Sequence, residues 1–167
     1  YRLDAILARC GAPKSLGLVS IDIDGMDYYV WESLQDFTPE IVVIEFNPTV
    51  PNDVKFVQDK SFDVNQGCSL LALVLLGKEK GYELAATTQT NALFVRADKY
   101  PRLNIANNFH GLMHRPVQDG RIFQGYDGTI HVVGMDRLMW HGGVRLTSEH
   151  FQVLPKKNRV FGGSLKE

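Results

Sequence analysis

The stretch from Gly17 to Pro48 constrains the fold more than any other part of this 167-residue chain. It reads GLVSIDIDGMDYYVWESLQDFTPEIVVIEFNP, with apolar runs at 18–23 and 41–44 around a helix-like segment at 26–34. Runs of this kind are typical of parallel strands that are covered on both faces. The order strand, helix, strand predicts a right-handed βαβ crossover that places the two strands in parallel.

Acidic and amide side chains follow both predicted strands. Asp22, Asp24 and Asp27 follow the first strand, and Glu45 and Asn47 follow the second. Ligands of open α/β sheets bind at the carboxyl ends of the strands. Neighbouring strands lie about 4.8 Å apart, so we expect these side chains to converge on one small ligand.

Two kinds of chemistry suit such a group. Asp24, Glu45 and Asn47 offer the oxygen ligands that Mg²⁺ or another hard divalent cation prefers. Alternatively, one carboxylate acts as a general base toward a substrate hydroxyl. The plainer interpretation is an ordinary strand-to-helix turn with Asp as the helix cap. Because acids buried without a role are costly, the sequence favours a functional site.

The remaining pattern predicts a mixed α/β protein with an extension. A short amphipathic helix lies at 3–10, a polar loop at 49–66, a buried helix at 68–80 and an antiparallel hairpin at 82–97. The loop is either a lid or substrate wall, or an inert surface segment. After Tyr100 the pattern weakens, and we expect a partly β, partly coil segment that includes the strand-like pieces IFQGYDG, TIHVVG and GGVRL.

Composition excludes several classes of function. A net charge of −1 gives no electrostatic case for binding nucleic acid or an anionic membrane surface. No apolar run approaches the length of a membrane span. Two distant cysteines predict free thiols in a reducing, cytoplasmic compartment. His110 and His114 have a metal-ligand spacing, but Gly111 lies between them in a poor helix, which favours structural or exposed histidines.

Four strings together resemble one family. SIDIDGMDYYVW, PEIVVIEFNP, GCSLLALVLLGKEKGYEL and NALFVRAD occur in the order seen in the carboxyl-terminal half of FkbM-type S-adenosylmethionine-dependent methyltransferases. That family commonly shows Ile-Asp-x-Glu-Gly-x-Glu at the end of the fourth strand of a class I sheet. Asp22, Asp24, Gly25 and Asp27 stand at the matching positions, with Asp in place of both Glu residues. Ser20 stands where many members have Lys.

The resemblance implies a partial class I methyltransferase (Rossmann-like) sheet at 1–98, which ends in an antiparallel hairpin, and a mixed β and coil extension at 99–167. It implies O-methylation of a small-molecule or sugar hydroxyl, with S-adenosylmethionine as methyl donor. The implied catalytic residues are Asp22, Asp24 and Glu45, and Asp22 and Ile23 lie toward the cofactor. The implied substrate-binding residues are Asp27, Asn47 and Asn91.

The same resemblance implies that part of the parent enzyme is missing. No GxGxxG or equivalent glycine-rich loop occurs in this sequence, although class I enzymes hold the cofactor mainly by such a loop. We therefore expect the chain to be the latter half of a longer methyltransferase. A half-sheet exposes an apolar strand edge, so we expect a second copy or a partner chain to cover it.

Three alternatives remain open. An apolar strand that ends in Asp-x-Asp-Gly also resembles haloacid-dehalogenase-type phosphatases, in which the first Asp attacks phosphorus and the second handles the proton. Met26 stands here where that family usually has Thr or Val. Asp22 and Asp24 also resemble the metal-binding pair of nucleotide-sugar glycosyltransferases. Finally, the chain is compatible with a non-catalytic binding module.

The missing loop generates a prediction about cofactor affinity. Because close backbone approach at a glycine-rich loop supplies much of the binding to such cofactors, this chain alone should bind S-adenosylmethionine poorly or not at all. Isothermal titration calorimetry measures this directly. A dissociation constant in the micromolar range would contradict the prediction.

Overall fold

The computed structural model describes residues 2–105, 109–113, 115 and 120–162. The chain forms two compact units, residues 1–117 and 118–167, each with its own contacts. The first unit contains, in chain order, α1 (Leu3–Arg9), β1 (Leu18–Ile21), α2 (Asp27–Ser33), β2 (Ile41–Glu45), α3 (Leu70–Glu79), β3 (Tyr82–Thr87), β4 (Asn91–Arg96), a 3₁₀ helix (Tyr100–Leu103) and α4 (Phe109–Leu112). The domain boundary expected after residue 98 from the family resemblance stays a prediction.

The first unit is a mixed α/β structure built on a four-stranded sheet. The strands lie in the order β1-β2-β4-β3. β1 and β2 are parallel, whereas β4 is antiparallel to both of its neighbours. The predicted parallel pairing of the two strands and the predicted hairpin are therefore confirmed. The hairpin adds its second strand next to β2, so that β3 forms the edge.

The expectation that both faces of the parallel strands are covered is wrong for β1. Val19 and Ile21 are buried, but Leu18 is 54% exposed and Ile23 is 47% exposed. β1 therefore alternates as a strand buried on one face does. The physical reason is that the buried core lies on the side of α2 and α3, and β1 pairs with β2 alone among the described strands.

The core of the first unit is centred on an aromatic cluster. Trp31 of α2 is fully buried, and its ring centroid lies 4.8 Å from that of Phe94 on β4 and 5.8 Å from that of Tyr82 on β3. Gly77 of α3 packs against the same rings. One buried indole thus joins two helices to two strands of the sheet.

The second unit contains a hairpin and two 3₁₀ turns. β5 (Arg121–Gln124) pairs antiparallel with β6 (Ile130–Val133), and the two strands lie in the strand-like pieces IFQGYDG and TIHVVG. The side chain of Gln152 accepts from the backbone N–H of Ile130 and donates to its carbonyl, which occupies the other edge of β6. The expected strand in GGVRL is wrong: Arg145 forms only an isolated bridge with Arg137.

Helices in the described part of the chain are short. The longest is α3, with 10 residues. Within the described residues, none has the length and apolar character that crossing a membrane requires. His114, one of the two histidines whose spacing is that of metal ligands, lies outside the residues that the structure describes.

The close approach at Gly77 generates a prediction about stability. An added Cβ would lie 3.0 Å from Phe94 and 3.1 Å from Trp31, which leaves no space for a side chain. Overpacking a core typically costs about 1–3 kcal/mol. Gly77→Val should therefore lower the free energy of unfolding, measured by urea denaturation, by about 2 kcal/mol more than Lys78→Val.

Lys78→Val is the matched control because it introduces the same residue at the next, exposed position of α3. The difference between the two variants removes the helix propensity of valine from the comparison. Equal losses of stability in both variants would show that the contact with Trp31 and Phe94 relaxes freely.

Candidate functional site

The segment that follows β1 is a tight turn with an unusual backbone. Asp24 has φ +56° and Gly25 has φ +154°, both in regions that L side chains rarely adopt. The buried carboxylate of Asp27 accepts hydrogen bonds from the backbone N–H groups of Ile23 and Gly25, each at 2.9 Å. Asp27 therefore fixes the turn from inside and is not a helix cap, since Met26 occupies that position.

A second support of the turn comes from the polar loop. Gln58 is 1% exposed, and its amide oxygen accepts from the N–H groups of Gln66 and Gly67. Its amide nitrogen donates to the carbonyls of Ser61 and Val64. The same oxygen would lie 2.9 Å from a Cβ at Gly25.

The loop therefore packs directly against the acidic turn, and Gly25 is required for this close approach. Sequence analysis did not single out Gln58. The signal available was weak: one glutamine in a polar loop looks like any other until its neighbours are known.

Three carboxylates converge beside this turn. Asp22, Asp24 and Glu45 each place one oxygen within 4.8 Å of the others. The parallel register, with Ile21 opposite Ile44, brings the residues that follow the two strands side by side. Asp22 and Asp24 are exposed and Glu45 is half-buried. The convergence predicted for these three residues is present in the structure.

Glu45 has the most perturbed carboxyl group of the site. Burial, together with the smaller effect of the negative charges of Asp22, Asp27 and Asp24, raises the pKa of Glu45 from 4.5 to about 7. Both causes disfavour the charged form of Glu45. At neutral pH this side chain is therefore poised between its proton-holding and proton-accepting forms.

Asn47 has a local structural role. Its amide oxygen accepts from the N–H and the hydroxyl of Thr49, and its nitrogen donates to the carbonyl of Gln66. A carbonyl oxygen has two lone pairs, so coordinating a cation through this oxygen would require breaking the contacts with Thr49. The structure thus shows a cluster of three carboxylates beside an amide that is already engaged.

The other residues that the sequence predicted for the site are Asn91, Ile23 and Asp27, and they differ in how accessible they are to a ligand. Asn91 is the cross-strand partner of Glu45 and therefore shares its face of the sheet. Ile23 is 47% exposed at the turn. Asp27 lies beneath the surface, with its carboxylate committed to the backbone. A substrate contact by Asp27 would break the turn that it holds.

Similarity to known proteins adds nothing to this description. No protein-family model, curated protein or solved structure matches the chain. The chemistry must be argued from the geometry. Three carboxylate oxygens at this spacing suit a hard divalent cation, which prefers oxygen ligands and keeps several waters. With Glu45 near its pKa, the same group also suits proton transfer.

The raised pKa of Glu45 predicts how stability depends on pH. Between pH 4.5 and about 7 the folded chain holds a proton on Glu45 that the unfolded chain has lost. The free energy of unfolding should therefore fall as pH rises through this window. We expect a fall of about 1–2 kcal/mol, reduced from the full shift because Glu45 remains in contact with solvent.

Glu45→Gln should remove this pH dependence and make the chain more stable than wild type at pH 8. Urea denaturation across the pH range is the measurement. Asp63→Asn, at an exposed position of the loop, is the matched loss of a carboxylate and should keep the wild-type slope. Identical slopes in wild type and Glu45→Gln would contradict the raised pKa.

Proposed function

We propose that this acidic site is the acceptor side of an S-adenosylmethionine-dependent methyltransferase that methylates a hydroxyl group of a small molecule or sugar. The observation that carries the proposal is the convergence of Asp22, Asp24 and Glu45 at the carboxyl ends of two adjacent parallel strands. Open α/β sheets bind their ligands at this edge. The raised pKa of Glu45 supplies a group that can take a proton at neutral pH.

The arrangement of the sheet supports the same proposal. The family resemblance implies the fourth and fifth strands of a class I sheet, followed by a buried helix and a terminal antiparallel strand. β1 and β2 are parallel, and β4, the last strand of the sheet in chain order, is antiparallel to both of its neighbours. This agreement supports the proposal at the level of topology alone.

Glu45 is the residue that we place as general base. The methyl donor supplies an electrophilic methyl group on a positively charged sulfur. As the acceptor oxygen forms its bond to that methyl group, Glu45 takes the proton of the hydroxyl, and the electrons of the broken carbon–sulfur bond remain on sulfur. Asp22 and Asp24, both exposed beside Glu45, orient the substrate by accepting hydrogen bonds from its other hydroxyl groups. Positioning of this kind supplies much of the catalysis.

A divalent cation would change these roles. If Asp22, Asp24 and Glu45 hold a cation such as Mg²⁺, all three carboxylates must be charged, and the pKa of Glu45 must fall on binding. Such a cation would supply Lewis-acid chemistry, lowering the pKa of a bound hydroxyl in place of a protein base. Titrating Mg²⁺ while the Glu45 carboxyl is followed by NMR distinguishes the two arrangements: a falling pKa indicates the cation, and an unchanged pKa indicates the base.

The test of the proposal is methyl transfer by the complete natural protein. It is incubated with S-adenosylmethionine that carries a labelled methyl group and with a panel of sugars and small hydroxyl compounds. We expect transfer of label to at least one acceptor. Glu45→Gln should lower kcat/KM by about two to four orders of magnitude, which is the usual contribution of a general base. Without a bound cation, activity should rise with pH through about 7 as Glu45 loses its proton.

Asp63→Asn, which removes an exposed carboxylate from the loop, should leave the rate unchanged. Absence of label transfer to the whole panel, together with hydrolysis of an aryl phosphate, would favour the phosphatase alternative. Near-normal activity of Glu45→Gln would remove this residue from the mechanism.

A further inference from the structure

The hairpin of the second unit has one closed edge and one open edge. The outer edge of β6 is closed, since the side chain of Gln152 bonds to both the N–H and the carbonyl of Ile130. The hydroxyl of Ser148 accepts from the N–H of Val132 on the same edge. β5, in contrast, pairs with β6 alone among the described strands, and all four of its side chains are exposed. An open strand edge is a template for pairing with another extended chain.

The register of the hairpin shows which backbone groups of β5 point outward. Along an antiparallel pair, residues that bond across the pair alternate with residues whose N–H and C=O point away from it. Ile130 and Val132 point away from β5, because side chains on the far edge bond to them. Their cross-strand partners are Gln124 and Ile122. The N–H and C=O groups of Ile122 and Gln124 therefore point outward, and no group among the described residues bonds to them.

A second copy of the same strand fits these outward groups. When two copies of β5 run antiparallel about a two-fold axis at Phe123, Ile122 of each copy lies opposite Gln124 of the other. Each such pair exchanges two N–H···O bonds, so the outward groups of both copies are all paired. Any other two-fold register leaves some of them without a partner in β5. Phe123 is 51% exposed and stacks on His131 at 5.0 Å. In this register it lies opposite its own copy, where cross-strand side chains are closest.

The charges along the edge suit the same register. Arg121 of one copy falls opposite Gly125 of the other. A Cβ at Gly125 would lie 3.0 Å from a carboxylate oxygen of Asp127, so this carboxylate occupies the place of the absent side chain. Its two oxygens accept from the N–H and the hydroxyl of Thr129, one bond each, which leaves each oxygen a lone pair. Arg121 of each copy would therefore meet Asp127 of the other, and the guanidinium has five donors for this contact.

We propose that β5 is a dimerisation edge, at which a second copy of this chain adds its own β5 and joins the two hairpins into one four-stranded antiparallel sheet. A second copy is favoured over an unrelated peptide because one short segment supplies matched backbone groups, an aromatic pair and both charges. The strand has four residues, so the interface is small and the dimer is weak and concentration-dependent. The inference uses only residues of the second unit and does not rest on methyl transfer.

Analytical ultracentrifugation of the full chain, from about 10 µM to about 1 mM, measures the association. We expect monomer at the low end of this range and dimer at the high end. Gln124→Pro removes an outward N–H but no bond to β6, and edge strands tolerate proline. Because it deletes two of the four bonds between the copies, Kd should rise about tenfold or more. Gln124→Ala keeps the N–H and is the matched control, which should associate like wild type. The amide signal of Ile130 verifies that the hairpin persists in each variant.

Amide hydrogen exchange tests the register in the unaltered chain. The N–H groups of Ile122 and Gln124 should be protected only at concentrations at which the dimer forms. The N–H of Phe123, which faces His131 within the hairpin, should be protected at every concentration. In a mixture of labelled and unlabelled chains, an isotope-filtered NOE should join the Hα protons of Phe123 in the two copies, since this pair lies on the axis.

Charge variants test the contact between Arg121 and Asp127. Arg121→Glu sets like charges against each other across the axis and should weaken the dimer several-fold, whereas Arg121→Lys keeps the positive charge and should retain most of the affinity. Lys156→Glu, at an exposed position of the same unit, makes the same change in net charge and should associate like wild type.

Several outcomes would overturn the proposal. A monomer at every concentration would exclude the second copy and leave an extended segment of another protein as the partner of this edge. A dimer that Gln124→Pro leaves unchanged would show that a different surface associates. Protection of Ile122 and Gln124 at every concentration would show that the edge is paired within one chain. Equal weakening by Arg121→Glu and Lys156→Glu would contradict the contact with Asp127 that supports the register.

Discussion

The burial of Trp31 is the interaction on which the first unit depends. Its indole packs against Phe94 and Tyr82 of the sheet and against Gly77 of α3. α2 has only 7 residues, so its own backbone hydrogen bonds cannot hold it in place. Tertiary contact through Trp31 must do so. Because the acidic turn leads directly into this helix, the same buried side chain also helps to position the turn.

The acidic turn brings several carboxylates close together, and the fold must reduce the repulsion between them and the cost of burying them. Asp27 is buried within the turn, and two backbone N–H groups donate to it. At Glu45 the cost of a buried negative charge is reduced in another way. Its pKa is raised to about 7, so that the side chain is partly neutral near pH 7. Carboxylates therefore occupy different kinds of position here: Asp27 is held by the backbone and serves the fold, whereas Asp22 and Asp24 are exposed and Glu45 is half-buried.

Much of the first unit was predictable because its residues repeat at the periods of strands and helices. The near-continuous apolar runs at 18–23 and 41–44 predicted two strands, and the acids that follow them were expected to converge. The exposure of Leu18 was not predictable, because an apolar residue has the same appearance in sequence whether or not a helix covers it. Nor could the sequence separate Asp27 from Asp22, since their roles differ only in which N–H groups lie nearby. Gln58 acts through contacts with 61–67 and Gly25 that no local pattern encodes.

The two chemistries open to the acidic site make opposite demands on Glu45. A general base must be unprotonated before the reaction, take the proton of the acceptor hydroxyl during it and release that proton afterwards, which requires a pKa near the working pH. A cation site requires three charged carboxylates together, and the positive charge of the ion must offset their mutual repulsion. Burial of Glu45 beside three aspartates provides the first condition without any ligand. A cation, by contrast, would have to displace the proton from Glu45 and offset the cost of charging this half-buried side chain. The electrostatics of the chain itself therefore favour proton transfer, and cation binding would need a contribution from the substrate.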